Sequence, residues 1–578
     1  MTLPPLFSLL RLSPLFALCS LHVSMATDPD PLLSFLQRVQ SDALLTMGPT
    51  DFDPKLYVDL PLKTNLSIAV SAFDSLPRRS GTIPISEFNK FLKEFFDEAG
   101  SDLVYAELVD FKPEPEGFLV KVQNEEMRKW ALEVHAIWKN LSRRVSEKVK
   151  KRPERHTLLY LPGTVIVPGS RFREVYYWDS YWVIRGLLAS KMYDTAKGIV
   201  FNLISLIETY GHVLNGARTY YTNRSQPPLL SSMVRDIYMR TGDAELLKRT
   251  LPPLLKEHSF WVSDIHQVTI QDQRGHKHCL SRYQARWYQP RPESATVDEE
   301  LSLKLTPSEK DAFYHELASA AESGWDFSSR WMRNSSDLTT TATTSIIPVD
   351  LNTFIYKLEL DISTFAKITG DNSTSQKFIE SAKSRKVAIR SLLWNPNLGQ
   401  WFDYWLDKHD AHQGVYHWNP GSQNCKIFAS NFVPLWLLAQ YPDSDQLIEE
   451  FDEDLTSLRK TGLIRDYGIA TSLSNTGQQW DFPNGWAPLQ HMIVDGLANA
   501  RSKEARSLAE GIAINWIKTN FAAYKKTASM HEKCNVETCG EFGGGGEYIP
   551  QTGFGWSNGV VLALLEEFGW PRDRDVSC

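Results

Sequence analysis

Three Trp-Asp pairs stand in polar, aromatic surroundings along this chain: Trp178-Asp179, Trp325-Asp326 and Trp480-Asp481. The first lies within Pro168 to Trp182, PGSRFREVYYWDSYW, where aromatic rings are mixed with two arginines and two carboxylates. Aromatic faces cover the apolar C–H faces of a sugar, while Arg and Asp reach its hydroxyls. A single cluster of this kind reads better as an amphipathic strand or turn with its rings in the core, but its recurrence implies a shared pocket. The carboxylates also suit glycoside cleavage, which needs a protonated acid on the leaving oxygen and an ionised base or nucleophile across the ring. Asp326 is the candidate acid, because a place just beyond a helix C-terminus and beside Trp325 disfavours its anion. Asp179 and Asp481 have similar local credentials. Glu532, Glu537, Glu541 and Glu547 all compete for the base, and spacing does not choose among them.

The elements that must position these groups are mostly helical. Apolar residues at Ile355, Leu358, Ile362 and Phe365 mark one helical face, and Gly370 marks its stop. Thr306-Pro307-Ser308-Glu309 is a capping box that starts a helix running to Gly324, two residues before Asp326. Further helices are predicted near 184–210, 229–241, 374–394, 427–440, 488–518 and 557–568. No strand and helix alternation and no solenoid period appears, so the pattern predicts a helical barrel or toroid with site-forming loops at one end. Gly543 to Gly546, followed by Glu547-Tyr548, carries neither a P-loop nor a Rossmann pattern; it reads as a mobile flap or as a flexible linker.

The chain has 578 residues, 42% of them hydrophobic, enough for a substantial core. A net charge of -7 with no basic block argues against nucleic acid as a partner. The run Arg143 to Arg155 is interleaved with glutamates and reads as a solvated helix face. Residues 1–26 hold an apolar stretch interrupted at Arg11, which predicts a secretory signal, with an N-terminal membrane anchor as the alternative. Sequons at Asn65, Asn140, Asn223, Asn334 and Asn372 fit a glycoprotein on that route, secreted or held at the plasma membrane with its catalytic domain outside. Asn223, beside Arg224, is expected to be unmodified. Cys534 and Cys539 are close enough for a local disulfide, although pairing cannot be deduced from spacing. The sequence lacks C-x-x-C and H-E-x-x-H, and the prediction is no metal and no cofactor.

These motifs resemble those of the trehalase family of glycoside hydrolases. PGSRFREVYYWDSYW resembles its first signature, and Gln479-Trp480-Asp481-Phe482-Pro483-Asn484-Gly485-Trp486-Ala487-Pro488 its second. Between them Asn215, Arg224-Ser225-Gln226-Pro227-Pro228, Arg291-Pro292-Glu293 and Ser323-Gly324-Trp325-Asp326 fall in the family's order, and GGGGEY follows. The resemblance spans roughly residues 50–570, and the N-terminal address makes it similar to plant-type secreted or membrane-associated members. It implies an all-α (α/α)6 barrel with long active-site loops, forming a single catalytic domain over 27–578. It also implies hydrolysis of the disaccharide α,α-trehalose with inversion, Asp326 acting as general acid and Glu532, in His531-Glu532-Lys533, as general base. Arg171, Phe172, Trp178, Asp179, Asn215, Arg224, Ser225, Gln226, Arg291, Glu293, Gly324 and Glu547 would bind glucose or shape the pocket, with Trp480 and Trp486 as walls. Taken singly, Arg224 and Asn215 also read as helix caps, Arg291 as an ion pair with Glu293, and Trp486 as core. Two positions depart from the family pattern: Ser170 replaces a glycine, and Cys534 replaces an aromatic residue. Two other readings stay open, a barrel glycosidase for a different α-glucoside and a non-catalytic sugar-binding protein.

Overall fold

The computed structural model describes residues 30–578 apart from 51, 170, 264, 408–410, 413 and 438–446. Its centre is a closed ring of inner segments: Asp179–Ala189, Leu230–Thr241, Val349–Thr369, the 3-10 segment Ala429–Leu435, Ala487–Asn499 and Gly555–Phe568. Each contacts the next, and the last returns to the first. Outer helices precede them in the chain: Glu125–Leu141, Tyr193–Tyr210, Ala244–Trp261, Asn372–Leu393, Leu447–Lys460 and Lys503–Thr527. This is an (α/α)6 barrel. The ring closes tightly because Gly559 lies against the Trp182 carbonyl, where an added Cβ would come within 1.9 Å of the oxygen.

The inner helices are buried nearly all round, which explains their weak amphipathic signal. Two of the helical stretches expected from periodicity are each a helical pair. The stretch 184–210 turns at Lys191, whose φ is 59°, and 488–518 breaks after Asn499. An apolar pattern alone does not reveal a short turn between two buried helices. Within the 427–440 stretch, Ala429–Leu435 is a 3-10 segment with Pro434 inside it. Arg143 to Arg155 is not one helix but the strand Ser142–Val145, the helix Glu147–Lys151 and the 3-10 turn Pro153–Arg155.

The Thr306 capping box forms as expected and starts the helix Pro307–Glu322. Gly324 then turns the chain with φ 75°. A Cβ there would lie 2.7 Å from the Trp178 ring, so the turn that delivers Asp326 requires glycine. The helix Val349–Thr369 stops at left-handed Gly370.

Helices between Pro31 and Phe95 form a second apolar cluster around Phe35, Leu36, Phe73 and Phe88. It abuts Tyr176, Tyr220 and Tyr221. The buried Lys55 ammonium, 2.9 Å from both Asp59 and Glu174, ties this cluster to the first signature segment. Among the described residues, no helix is long and apolar enough to cross a membrane. The expected signal or anchor at 1–26 lies outside them.

Candidate active site

A polar and aromatic cavity opens where the loops lead into the inner helices. From the first signature, Arg171, Phe172, Trp178 and Asp179 line it; Asn215, Arg224, Gln226, Arg291 and Glu293 come from the connections that follow. Gly324 and Asp326, then Trp480 and Trp486, and finally Glu532 and Glu547 complete the predicted set. Ser225 does not line the cavity. Its amide donates to Glu322 Oε1 (2.9 Å) and its hydroxyl to the Val213 carbonyl (2.6 Å), so it holds the loop that presents Arg224 and Gln226.

The three tryptophans of the Trp-Asp pairs converge. Trp480 stacks on Trp325 at 5.2 Å and on Trp486 at 3.9 Å, while Trp178 packs at 5.7 Å. Of the aspartates, Asp179 and Asp326 line the cavity and Asp481 turns away. Asp481 accepts from Ser328 Oγ (2.9 Å), the Ser329 amide (2.8 Å) and Thr476 Oγ1 (2.5 Å), and so braces the chain just after Asp326. Asp326 faces the cavity, and burial pushes its carboxyl up to about 7. Arg291 and Arg224 pull it down, and Glu547 pushes it up. Asp179 is pushed to about 8, first by burial and then by the charges of Glu532 and Asp326.

Glu532 is buried and faces the same cavity. Tyr548 Oη donates to its Oε1 at 2.8 Å, and the Lys533 ammonium lies 3.3 Å from Oε2. Of the other contenders, Glu541 (3.2 Å from Lys526) and Glu537 (3.3 Å from Arg465) lie away from the cavity, while Glu547 lines it with its carboxylate paired to Arg291. Glu532 is fixed by a short ladder in which Lys533 pairs with Trp486, and Cys534 with Gly485. The Cys534 side chain is fully enclosed, and burial pushes its thiol to about 12. It is not in a local disulfide, since Cys539 pairs with Cys578. Ser170 lies outside the described residues.

The arginines are held by carboxylates. Arg171 binds Asp53 through two nitrogens (2.9 and 3.2 Å), and Arg224 pairs with Glu293. Arg291 pairs not with Glu293 but with Asp298 (2.6 Å) and Glu547 (2.7 Å). Asn215 donates to the Ser225 and Ala321 carbonyls, both at 3.2 Å, and bridges loops rather than capping a helix. Buried Arg224 Nε and Glu293 Oε2 have no hydrogen-bond partner and can meet ligand hydroxyls. Asn223 turns its amide nitrogen toward the Tyr220 carbonyl at 3.2 Å.

The glycine run is a packed loop. The Gly543 amide donates to Lys533 O (2.9 Å), and Gly544 exchanges bonds with the Asn484 amide (3.1 and 2.8 Å). A Cβ on Gly545 would come within 2.3 Å of the Gly477 carbonyl, and this close packing sets Glu547 and Tyr548 into the cavity wall. Among the described residues, no group of three or more His, Cys, Asp or Glu is placed to hold a metal.

The sequence profile of the family described as Trehalase matches residues 49–569. The chain belongs to the trehalase family. It is 61% identical over 554 residues to a probable trehalase of Oryza sativa subsp. japonica, covering 95% of this chain and 98% of that one. It is 39% identical to a trehalase of Homo sapiens, covering 89% and 86% of the two chains. The structure of neutral trehalase Nth1 from Saccharomyces cerevisiae superposes with a TM-score of 0.54 at 26% identity, covering 72% of this chain and 79% of that one. As a trehalase-family protein the chain is a glycoside hydrolase.

Several lining residues escaped the family motifs. Tyr176 sits inside the first signature segment but reads there as core, and Tyr221, Ser294 and Trp556 carry no local signal of their own. Asp53, which grips Arg171, comes from the N-terminal helices, where nothing in the sequence marks it.

Proposed function

We propose that this protein hydrolyses α,α-trehalose to two glucose molecules with inversion, using Asp326 as general acid and Glu532 as general base. The observation that carries this reading is one cavity holding two carboxyls in different surroundings. Desolvation in the cavity wall lets Asp326 keep its proton up to about pH 7, whereas Glu532 lies beside an ammonium. That contrast is how paired carboxyls divide acid and base work. The relatives named trehalase supply the substrate.

Asp326 gives its proton to the oxygen joining the two anomeric carbons as that C–O bond breaks. Glu532 takes a proton from the water that attacks the opposite face, so one α-glucose and one β-glucose leave. Exchange with solvent then returns the proton to Asp326 and removes it from Glu532. Room for that water requires the two carboxyl groups to work roughly 6.5–9.5 Å apart. Arg171, Arg224, Arg291 and Glu547 grip neutral hydroxyls while their partners hold them in place, and the tryptophan stack forms the floor.

Residues 27–578 act on this reading as one catalytic domain, since the N-terminal helices hold Arg171 through Asp53. The Cys539–Cys578 disulfide and the exposed sequons Asn65, Asn140, Asn334 and Asn372 support an extracellular address. The test is trehalose turnover by wild type, Asp326→Asn and Glu532→Gln. The reading expects wild-type hydrolysis and a loss of at least about 100-fold in each variant. Full activity in either variant, or wild-type turnover of another α-glucoside in place of trehalose, would refute it.

A further inference from the structure

Lys533 is completely buried, and its ammonium contacts polar atoms on both sides. One contact is Glu532 Oε2 at 3.3 Å, and the other is Gln479 Oε1 at 2.9 Å. The opposite end of the Gln479 amide, Nε2, donates to the main-chain carbonyl of Asp326. Gln479 is itself fixed, because Trp486 Nε1 (2.9 Å) and Asn484 Nδ2 (3.0 Å) donate to its main-chain carbonyl. The ammonium also lies 4.9 Å from the Trp486 ring and 5.6 Å from that of Tyr548. A buried cation is costly unless its pairing is complete; here it is paired to the Glu532 carboxylate and to the amide that holds the main-chain carbonyl of Asp326.

We propose that Lys533, acting with Gln479, is the positioning residue of the catalytic pair: one strut that orients and charges Glu532 while fixing the backbone that carries Asp326. This rests on the assignment of Asp326 and Glu532 given above. Other charged or titratable groups facing Glu532 are Tyr548 from the glycine loop, Asp179 from the first inner helix and Asp326 from the turn after Pro307–Glu322. Arg171 acts through the Tyr548 ring, 5.0 Å away. Tyr548 is a neutral donor and the two aspartates are acids, so Lys533 is the cation in direct contact with the base. Without it the base competes less well with protons, and the acidic limb of the pH profile moves to higher pH.

The test is kcat and kcat/KM for trehalose against pH in wild type, Lys533→Met, Lys533→Arg and Gln479→Glu. Lys533→Met should lower kcat at least about tenfold, keep KM within about threefold, and raise the acidic limb by about one pH unit or more. Lys533→Arg should return the limb toward its wild-type position. Gln479→Glu keeps the side-chain shape but offers the ammonium a competing carboxylate, and should raise the limb in the same direction. An unmoved acidic limb in folded Lys533→Met, or a loss confined to KM, overturns the inference. Should Lys533→Met fail to fold, an unmoved limb in Gln479→Glu overturns it equally. Activity surviving in Glu532→Gln would instead remove the base assignment itself, which separates the two failures.

Discussion

Replacing Glu547 by glutamine should lower the pH at which activity is lost on the basic side. Asp326 loses its proton at about pH 7, far above the ordinary 3.8, chiefly because it is buried. Glu547 adds to that shift by its negative charge, while Arg291 opposes it. Glutamine keeps the shape of the side chain, and Arg291 retains its 2.6 Å bond to Asp298. The substitution removes the charge that favours protonation and leaves Arg291 less neutralised, so both effects act downward. Unit charges facing each other across one cavity, taken at roughly 8 Å and an effective dielectric near 20, interact by about 2 kcal/mol. At 1.36 kcal/mol per unit that is at most about 1.5 pH units, and about one unit is the working expectation. With the limb moved from about 7 to about 6, the protonated fraction at pH 7 drops from about one half to about one tenth, while at pH 5 it barely changes. The ratio of kcat/KM at pH 7 to that at pH 5 should therefore fall about fivefold. The assay is a profile of kcat/KM for trehalose, which reports the free enzyme, normalised to each protein's own plateau. Weaker hydroxyl binding will lower the plateau without moving the limb. A limb that stays in place or moves upward would show that Asp326 is not the group titrating there.

Three further outcomes follow from the same contacts. Asp179 is raised to about 8, so its contribution to stability is complete below its unfolded value near pH 4 and is lost as pH rises through about 8; thermal unfolding should show Asp179→Asn gaining on wild type by a few degrees between pH 5 and pH 8.5. Asp53→Ala frees the Arg171 guanidinium from its two bonds and should raise KM about tenfold with kcat changed less than about threefold; steady-state kinetics showing an unchanged KM would count against a positioning role. Cys539→Ser opens a bridge between residues 39 positions apart and should cost about 4 kcal/mol on the chain-entropy estimate, seen as a lower Tm with near-normal kcat in the protein that remains folded.

The chemistry was more legible in the sequence than its support. The indole rings of Trp178, Trp325 and Trp480, which pack together, each carried a visible Trp-Asp signature, and the Thr306 capping box correctly placed the helix that leads to Asp326. Adjacency in sequence nevertheless misled at Asp481, whose carboxyl is consumed by Ser328, Ser329 and Thr476, because local sequence does not say which face of a turn a side chain occupies. Likewise Ser225 lies between two cavity residues yet points to Val213. Contacts between distant segments, such as Arg171 with Asp53 and Arg291 with Glu547, exist only once the ring has closed. The same holds for the disulfide, where the nearer partner in sequence, Cys534, is held in a buried strand and the distant Cys578 is reached instead.

The most direct test of the central claim is to follow the anomers of glucose by proton NMR during the first minutes of trehalose digestion, before mutarotation mixes them. A general acid and a general base acting from opposite faces predict equal initial amounts of α-glucose and β-glucose, with the solvent oxygen entering the β product. Appearance of α-glucose alone at early times would mean retention through a covalent intermediate, and would contradict the assignment of Asp326 and Glu532 as an inverting pair.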